Sequence, residues 1–318
     1  MSVHARLCSL ASRLRPFGVL PSTKLGLGRL KVSDPFPADM RVMIDECHRA
    51  CEGIVDTFGQ GLKSDPLRPF FYHYTNGAGF RGILETGKLW LTDIFNRNDP
   101  SELKYGFGPA IKLLEEAAEK GPLEVKIFVD DLVPMLRGRV EEIAHYFVCC
   151  FSRTADDLGQ WRAYADNGRG FAIGFDGRML EERFTKGAGA SSCRRSFPLT
   201  YGNDPLRQMY QQIIDKSIPF VSAVRGRDLS DEAITKYLEQ LSINVSVTIV
   251  RAALFFIHQV YSNDEEHRFL EIHQAGPVSD LKFRGRPYSL IRYREFDWRS
   301  VSPEALKRIV IGPAAAKA

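Results

Sequence analysis

The sequence predicts an α+β fold: a mixed, mostly antiparallel, strand-rich core with flanking helices and an inserted helical hairpin. Three observations carry the prediction. Short runs of bulky residues at 70–75, 88–92, 146–151, 170–175, 266–273 and 306–311 have the length and composition of strands. The helix between the first two runs has only about two turns, whereas a parallel crossover needs a dozen or more residues and a helix of several turns. Two long helical patterns, 205–224 and 231–259, stand side by side before the strand at 266–273.

Taken in order, residues 1–37 form a basic N-terminal tail expected to be disordered. An N-terminal helix region, 38–66, places Met43, Cys47, Cys51, Ile54, Phe58 and Leu62 three or four apart on one stripe. The main domain, 67–318, opens with FFYHYT as a strand, a short helix ending at Gly87, and KLWLT as a second strand. Asp99 is an N-cap with Pro100 at the first helical position, starting a helix that ends near Gly121 and Pro122. YFVCCF is a buried strand, 155–166 a helix, GFAIGF a strand, and 178–194 an exposed loop. The helical insertion, near 205–260, has Ser230 as N-cap of its second helix.

Composition narrows the function classes. A chain of 318 residues with 44% hydrophobic and 26% charged residues is an ordinary globular protein. The basic excess lies at the start of the chain: residues 1–33 carry Arg6, Arg13, Arg15, Lys24, Arg29 and Lys31 and no acid, so subtracting six from the net charge of +4 leaves about −2 for the rest. Nucleic acid is therefore expected only through the tail. The most apolar stretch, 245–260, is interrupted by Arg251 and His258 and is too short to span a membrane. Six scattered cysteines form no disulfide framework, which points to reduced thiols and a cytoplasmic location. Cys47 and Cys51 flank His48, but no second pair of ligands follows, so no metal is predicted.

Each candidate site residue has a structural reading beside its functional one. Alternation in 71–75 puts Phe71, His73 and Thr75 on one face, where His73 either meets a ligand or is a satisfied interior histidine. Glu266 and Arg268 share a face with Leu270 and Ile272, so they pair with each other or reach a pocket. Asn98 and Asp99 begin a helix whose free amides could meet an anion. Trp161 and Tyr164, on the short helix after Ser152 and Arg153, are core or a stacking platform. Gly77, Gly79 and Gly82 spell G-x-G-x-x-G, but the helix beside them is too short for a dinucleotide-binding crossover.

The motifs YHYT, GILETGKLWL, FNRNDPSEL, CFSRTADDLGQWRAYADNGRGFAIGFD, EEHRFL and RIVIGP, in this order, resemble the family called domain of unknown function 2971. Where the resemblance leads one to expect a lysine before the acidic pair, this chain has Ile257 and His258. The opening strand also resembles the ADP-ribosyltransferase superfamily. That second resemblance implies His73 and Thr75 on the adenosine-side ribose of NAD and Glu266 facing the nicotinamide ribose. It further implies Trp161 or Tyr164 stacking on nicotinamide, with Ser152, Asn98 and Asp99 around the cofactor. Arg268 would keep Glu266 ionised or meet pyrophosphate. The function then expected is ADP-ribosyl transfer from NAD to a macromolecular target, as a toxin or phage-defence factor. The alternatives are a non-catalytic nucleotide-binding or sensing module, and a hydrolase whose metal ligands would be Asp99, Glu102 and Glu266.

Overall fold

The computed structural model describes residues 37–62, 69–96, 101–138, 144–187, 192–274, 276–286 and 289–315. In chain order the elements are α1 (Ala38–Gly61), β1 (Phe70–Thr75), α2 (Gly77–Thr86), β2 (Lys88–Asp93), α3 (Ser101–Lys120), α4 (Leu123–Gly138), β3 (Ala144–Ser152), α5 (Leu158–Tyr164), β4 (Phe171–Asp176) and α6 (Gly177–Lys186). They continue with β5 (Ser192–Pro198), β6 (Thr200–Tyr201), α7 (Asp204–Ser222), α8 (Asp231–Ala253), β7 (Phe256–Ile257), β8 (Glu266–Gln274), β9 (Lys282–Arg286), β10 (Ser289–Asp297), α9 (Trp298–Val301) and β11 (Leu306–Ile311). Two units interleave along the sequence. One comprises the described residues within 37–61, 101–144 and 202–256, the other those within 62–100, 145–201 and 257–315.

The first unit is helical, built from α1, α3, α4, α7 and α8. Helix α1 buries Met40, Ile44, Cys47, Cys51 and Val55. This stripe is turned slightly from the expected one, because Met43 and Ile54 are only half-buried. Small residues bring α3 and α8 close: a Cβ on Gly106 would lie 2.9 Å from the Ala253 Cβ. Polar side chains tie the helices where apolar packing alone would leave the register free. Tyr210 donates to the Gly106 carbonyl at 2.9 Å, and Arg251 of α8 pairs with Glu52 and Asp56 of α1. Ser230 caps α8 as expected, accepting from the Ala233 amide. The helix ends at Ala253 rather than near 259.

The second unit holds a nine-stranded sheet with antiparallel pairing along β11-β4-β1-β3-β2-β10-β9. Strand β3 is its hub. It pairs with β1 at Tyr72↔Ser152, with β2 at Thr92↔Val148 and Asp93↔Phe147, and with β8, which carries β5. Three partners on a strand with two edges make the sheet fork at β3. One face packs Phe71, Leu89, Leu91, Phe151, Phe175, Phe269, Phe296 and Trp298 into the main core. The opposite face of β1 packs Tyr72 and Tyr74 on Trp161.

Several elements differ from expectation. The segment expected as a loop from 178 opens with helix α6, capped by Asp176 accepting from the Met179 amide and burying Leu180 and Phe184. Strand β5 already begins at Ser192. The expected helix at 155–166 is limited to Leu158–Tyr164, because Asp157 is its N-cap and Asp166 and Asn167 have positive φ. Helix α4 and the β9–β10 hairpin were not foreseen.

Candidate functional site

Strand alternation and ring contacts place each candidate residue on one face or the other. The Phe71 ring stacks on His267 at 4.0 Å, and the His73 ring lies edge-on to Phe151 at 5.7 Å. Phe151 in turn meets Phe269 at 4.9 Å. His73 and Thr75 of β1 thus share a face with His267 and Phe269 of β8 and with Phe151 of β3. Ser152 directly opposes Tyr72 and lies on the other face with Tyr74 and Trp161. Glu266 and Arg268, alternating with His267 and Phe269, also lie on that other face. The sheet brings Ser152, Glu266, Arg268 and Trp161 to one side and His73 with Thr75 to the other.

His73 sits at the fork. Its Nδ1 is 3.1 Å from the Cys150 carbonyl and 3.9 Å from the Cys149 sulfur. Where β1 parts from β3, an imidazole N–H thereby takes the place of a backbone donor. Burial holds the His73 pKa below the ordinary histidine value, the Arg284 charge adds to the depression, and the Cys150 carbonyl opposes it. Burial likewise pushes the Cys149 thiol well up, with Cys150 and Glu266 adding to the effect. Burial thus disfavours the Cys149 thiolate. Thr75 is close-packed against α2, since a Cβ on Gly79 would fall 2.1 Å from its hydroxyl.

Glu266 is held by its backbone and by its side chain. Its amide donates to the Tyr201 hydroxyl at 2.8 Å, and its carbonyl accepts from the Leu199 amide at 2.9 Å. Arg268, 1% exposed, donates through Nε at 2.9 Å and Nη2 at 2.7 Å to one carboxylate oxygen, Oε1. Glu265 before it adopts a left-handed conformation, φ 41°, and binds the Thr154 hydroxyl at 2.9 Å. Thr154 continues the chain of bonds: its carbonyl accepts from the Tyr74 hydroxyl, which accepts from the Asp157 amide. The Ser152 hydroxyl accepts from the Thr154 amide at 3.1 Å. SRTADD and EEHR, far apart in sequence, are thus one hydrogen-bonded node.

Trp161 is 2% exposed, packs edge-on to Tyr74 at 4.8 Å and donates to Asp156 at 2.6 Å, so its ring and its N–H are both occupied in the interior. Tyr164, 44% exposed, stands at the surface. Asn98 and Asp99 lie outside the described residues, as does the side chain of Glu102, so the three-carboxylate hydrolase set cannot be assembled from described atoms. Among the described residues no group of three or more His, Cys, Asp and Glu side chains converges as a metal site.

Residues 160–269 match the family described as Protein of unknown function (DUF2971). This DUF2971 segment is 110 of the 318 residues. It begins in α5 beside Trp161 and ends at Phe269 in β8, so its two ends meet at the node just described. The motifs YHYT, NDPSEL and RIVIGP lie outside it. No curated protein and no solved structure matches the chain. Among the described residues no helix is long and apolar enough to cross a membrane.

Two groups of polar residues were passed over by sequence reasoning. Glu271, 1% exposed, accepts from Arg194, Arg294 and His273 on the core side of β8. Only the pairing of β5 with β8 reveals this cluster, since Arg194 opposes Glu271 across the ladder. The second group follows the Glu266 face across the sheet, through Thr92 opposite Val148, to Trp90, Tyr293 and Arg284. Here a signal existed in KLWLTD: alternation leaves a tryptophan between a lysine and a threonine, opposite the leucine face.

Proposed function

We propose that this chain is a non-catalytic nucleotide-binding module rather than an enzyme that cleaves NAD. One observation carries the choice. A transferase of the kind expected needs His73 and Glu266 in one cleft, whereas alternation in β1 and β8 directs them to opposite faces of the sheet. The state of Glu266 also favours binding over turnover. Stabilising an oxocarbenium-like ribose requires a carboxylate open to the reacting carbon, and here the nearly buried carboxylate is tied to Arg268.

The test measures nicotinamide release from NAD by mass spectrometry, with and without cell lysate, for wild type and Glu266→Gln. Equilibrium dialysis with NAD and ADP accompanies it. The module binds nucleotide and releases no nicotinamide above buffer, while Glu266→Gln alters stability or affinity alone. Nicotinamide release that disappears in a folded Glu266→Gln protein would overturn this reading. It would restore ADP-ribosyl transfer to a macromolecular target, with the toxin or phage-defence role attached to it.

A further inference from the structure

Strand β11 stands at one end of the sheet, paired among the described residues with β4 alone. Its hydrogen bonds tell which way each peptide group points. The Gly312 amide donates to the Gly170 carbonyl at 2.9 Å, and the same ladder aligns Ile311 with Phe171, Val310 with Ala172 and Ile309 with Ile173. Bonded and non-bonded pairs alternate along an antiparallel ladder, so Val310 and Gly312 face β4 while Ile309 and Ile311 turn their N–H and C=O groups outward. Their side chains are exposed too, at 47% and 64%, on the face that carries Phe171 and the Phe80 ring stacked on it. Sheets usually blunt such an edge with charge, proline or distortion. Strand β9 has Lys282, Arg284 and Gly285, and β5 has Arg194, Arg195 and Pro198. In β11 the cations Lys307 and Arg308 and the bulge at Leu306/Arg308 are confined to the first half, and the Arg308 guanidinium is engaged over the Phe70 ring at 4.4 Å. The second half, Ile309 to Ile311, is regular and apolar.

We infer that β11 pairs, antiparallel, with β11 of a second copy of this chain, about a two-fold axis beside Val310 that joins the two sheets into one. The register follows from the groups on the edge. Ile309 opposite the partner's Ile311, and Ile311 opposite the partner's Ile309, match outward-facing residues and complete the hydrogen bonds of both. Val310 then lies at the axis opposite its own copy, as a non-bonded pair of the closer type. Isoleucines from both copies meet on one face, in β-branched cross-strand pairs of the kind that stabilise sheets. Like charges stay apart, because Arg308 falls opposite the partner's Gly312 and Lys307 opposite the partner's Pro313. Sliding the register two residues sets Ile311 against Lys307 in one direction. In the other it sets Ile309 against Pro313, which has no N–H to give. A slip of one residue would set outward-facing groups against inward-facing ones. The segment is thus complementary to itself, as a two-fold interface requires. This pairing is independent of whether the chain binds nucleotide.

The experiment is sedimentation velocity on the full chain from about 1 to 100 μM. Wild type shows a concentration-dependent equilibrium between monomer and dimer. Ile311→Pro removes only an outward amide, so the bonds to β4 stay and far-ultraviolet circular dichroism is unchanged. It deletes one hydrogen bond from each copy and weakens the dimer roughly 10- to 100-fold. Ile309→Lys, which sets a charge among the isoleucines, weakens it as well. Val310→Cys brings two thiols together at the axis, where the Cα separation of a non-bonded pair, about 4.5 Å, lies within the span of a disulfide. Mild oxidation by dissolved oxygen then links the copies, and peptide mass spectrometry finds the cross-link between the two 310 positions. Wild type that stays monomeric at about 100 μM overturns the inference; if its Ile309 and Ile311 amides are also slow to exchange hydrogen, a segment of the same chain covers the edge instead. A dimer left intact by folded Ile311→Pro and Ile309→Lys overturns it too, because another surface would then hold the copies together. A dimer in which Val310→Cys forms no cross-link refutes the two-fold register.

Discussion

Glu271 offers the sharpest test of how the strand-rich unit is held together. Its carboxylate, 1% exposed, receives the His273 Nε2 at 2.6 Å, the Arg294 Nε at 3.0 Å and the Arg194 Nε at 3.1 Å. Arg194 also lies over the Phe184 ring at 5.1 Å, so its charge is set among aromatics and not in bulk water. Glu271→Leu fills the space but leaves two nearly buried guanidinium groups without their anion. Removing one partner from such a cluster costs about 3–5 kcal/mol. For a unit of this size each kcal/mol moves the midpoint by about 2–4 °C, so the thermal transition should fall by roughly 6–20 °C. Tryptophan fluorescence is the natural readout, because Trp90, Trp161 and Trp298 all belong to the strand-rich unit. The Arg194→Met/Glu271→Leu double variant should recover part of the loss, since one uncompensated cation leaves with the carboxylate. A loss below about 1 kcal/mol for Glu271→Leu, with no coupling to Arg194, would refute the account by showing that the guanidinium groups are solvated without Glu271. The pH dependence has a definite sign. Burial lifts the Glu271 pKa, but the His273 hydrogen bond and the two arginines outweigh it and hold the group below the usual glutamate value. Its contribution is therefore present above the unfolded pKa of about 4.3 and is lost as pH falls through the lower folded value.

Other perturbations follow from the same geometry. His267 is pushed down to about 3, by burial first and by Arg153 second, so acid favours the unfolded chain, where histidine protonates near 6.5. Its share of stability is complete above pH 6.5 and declines toward pH 3; in urea titrations His267→Phe, which keeps a ring against Phe71, should show a flatter decline. Gly170→Ala would set a Cβ 2.3 Å from the Thr75 carbonyl oxygen and 3.0 Å from Ala165 backbone atoms. Backbone on both sides cannot yield cheaply, and a loss of about 1–3 kcal/mol, or insolubility, is expected in denaturation or expression assays.

Much of the fold was legible because local rules and tertiary packing agree. Strand β1, the Gly87 turn after α2 and strand β11 fall where the sequence places them, and Gly87 has the expected left-handed φ of 70°. Helix α6 was hidden because half of GRMLEERFTK is charged, and only Leu180 and Phe184, four apart, are large apolar residues that it buries. Strand β9, KFRGR, carries no apolar alternation, since it is an edge strand and gains its order from β10. At the candidate site, alternation puts Glu266 with Arg268, whose side chains bind each other, and His73 with Thr75. Whether those two pairs share a face depends on the order of strands around β3, and a fork in a sheet leaves no mark in any single segment.

The interleaving of the two units has a consequence for the order of synthesis. The helical unit lacks only its last segment until Ala253 leaves the ribosome, and from then on every helix it needs is available. At that moment β1, β2 and β3 have long been made, but β8, β10 and β11, which pair with β3, β2 and β4, do not yet exist. Phe151 and Phe175 must therefore wait for Phe269 and Trp298 while still tethered to the ribosome. The nascent chain spends that interval with a half-built sheet whose edges invite misplaced strands. Ribosome pausing or chaperone capture just beyond residue 256 would shield those edges when they are most open.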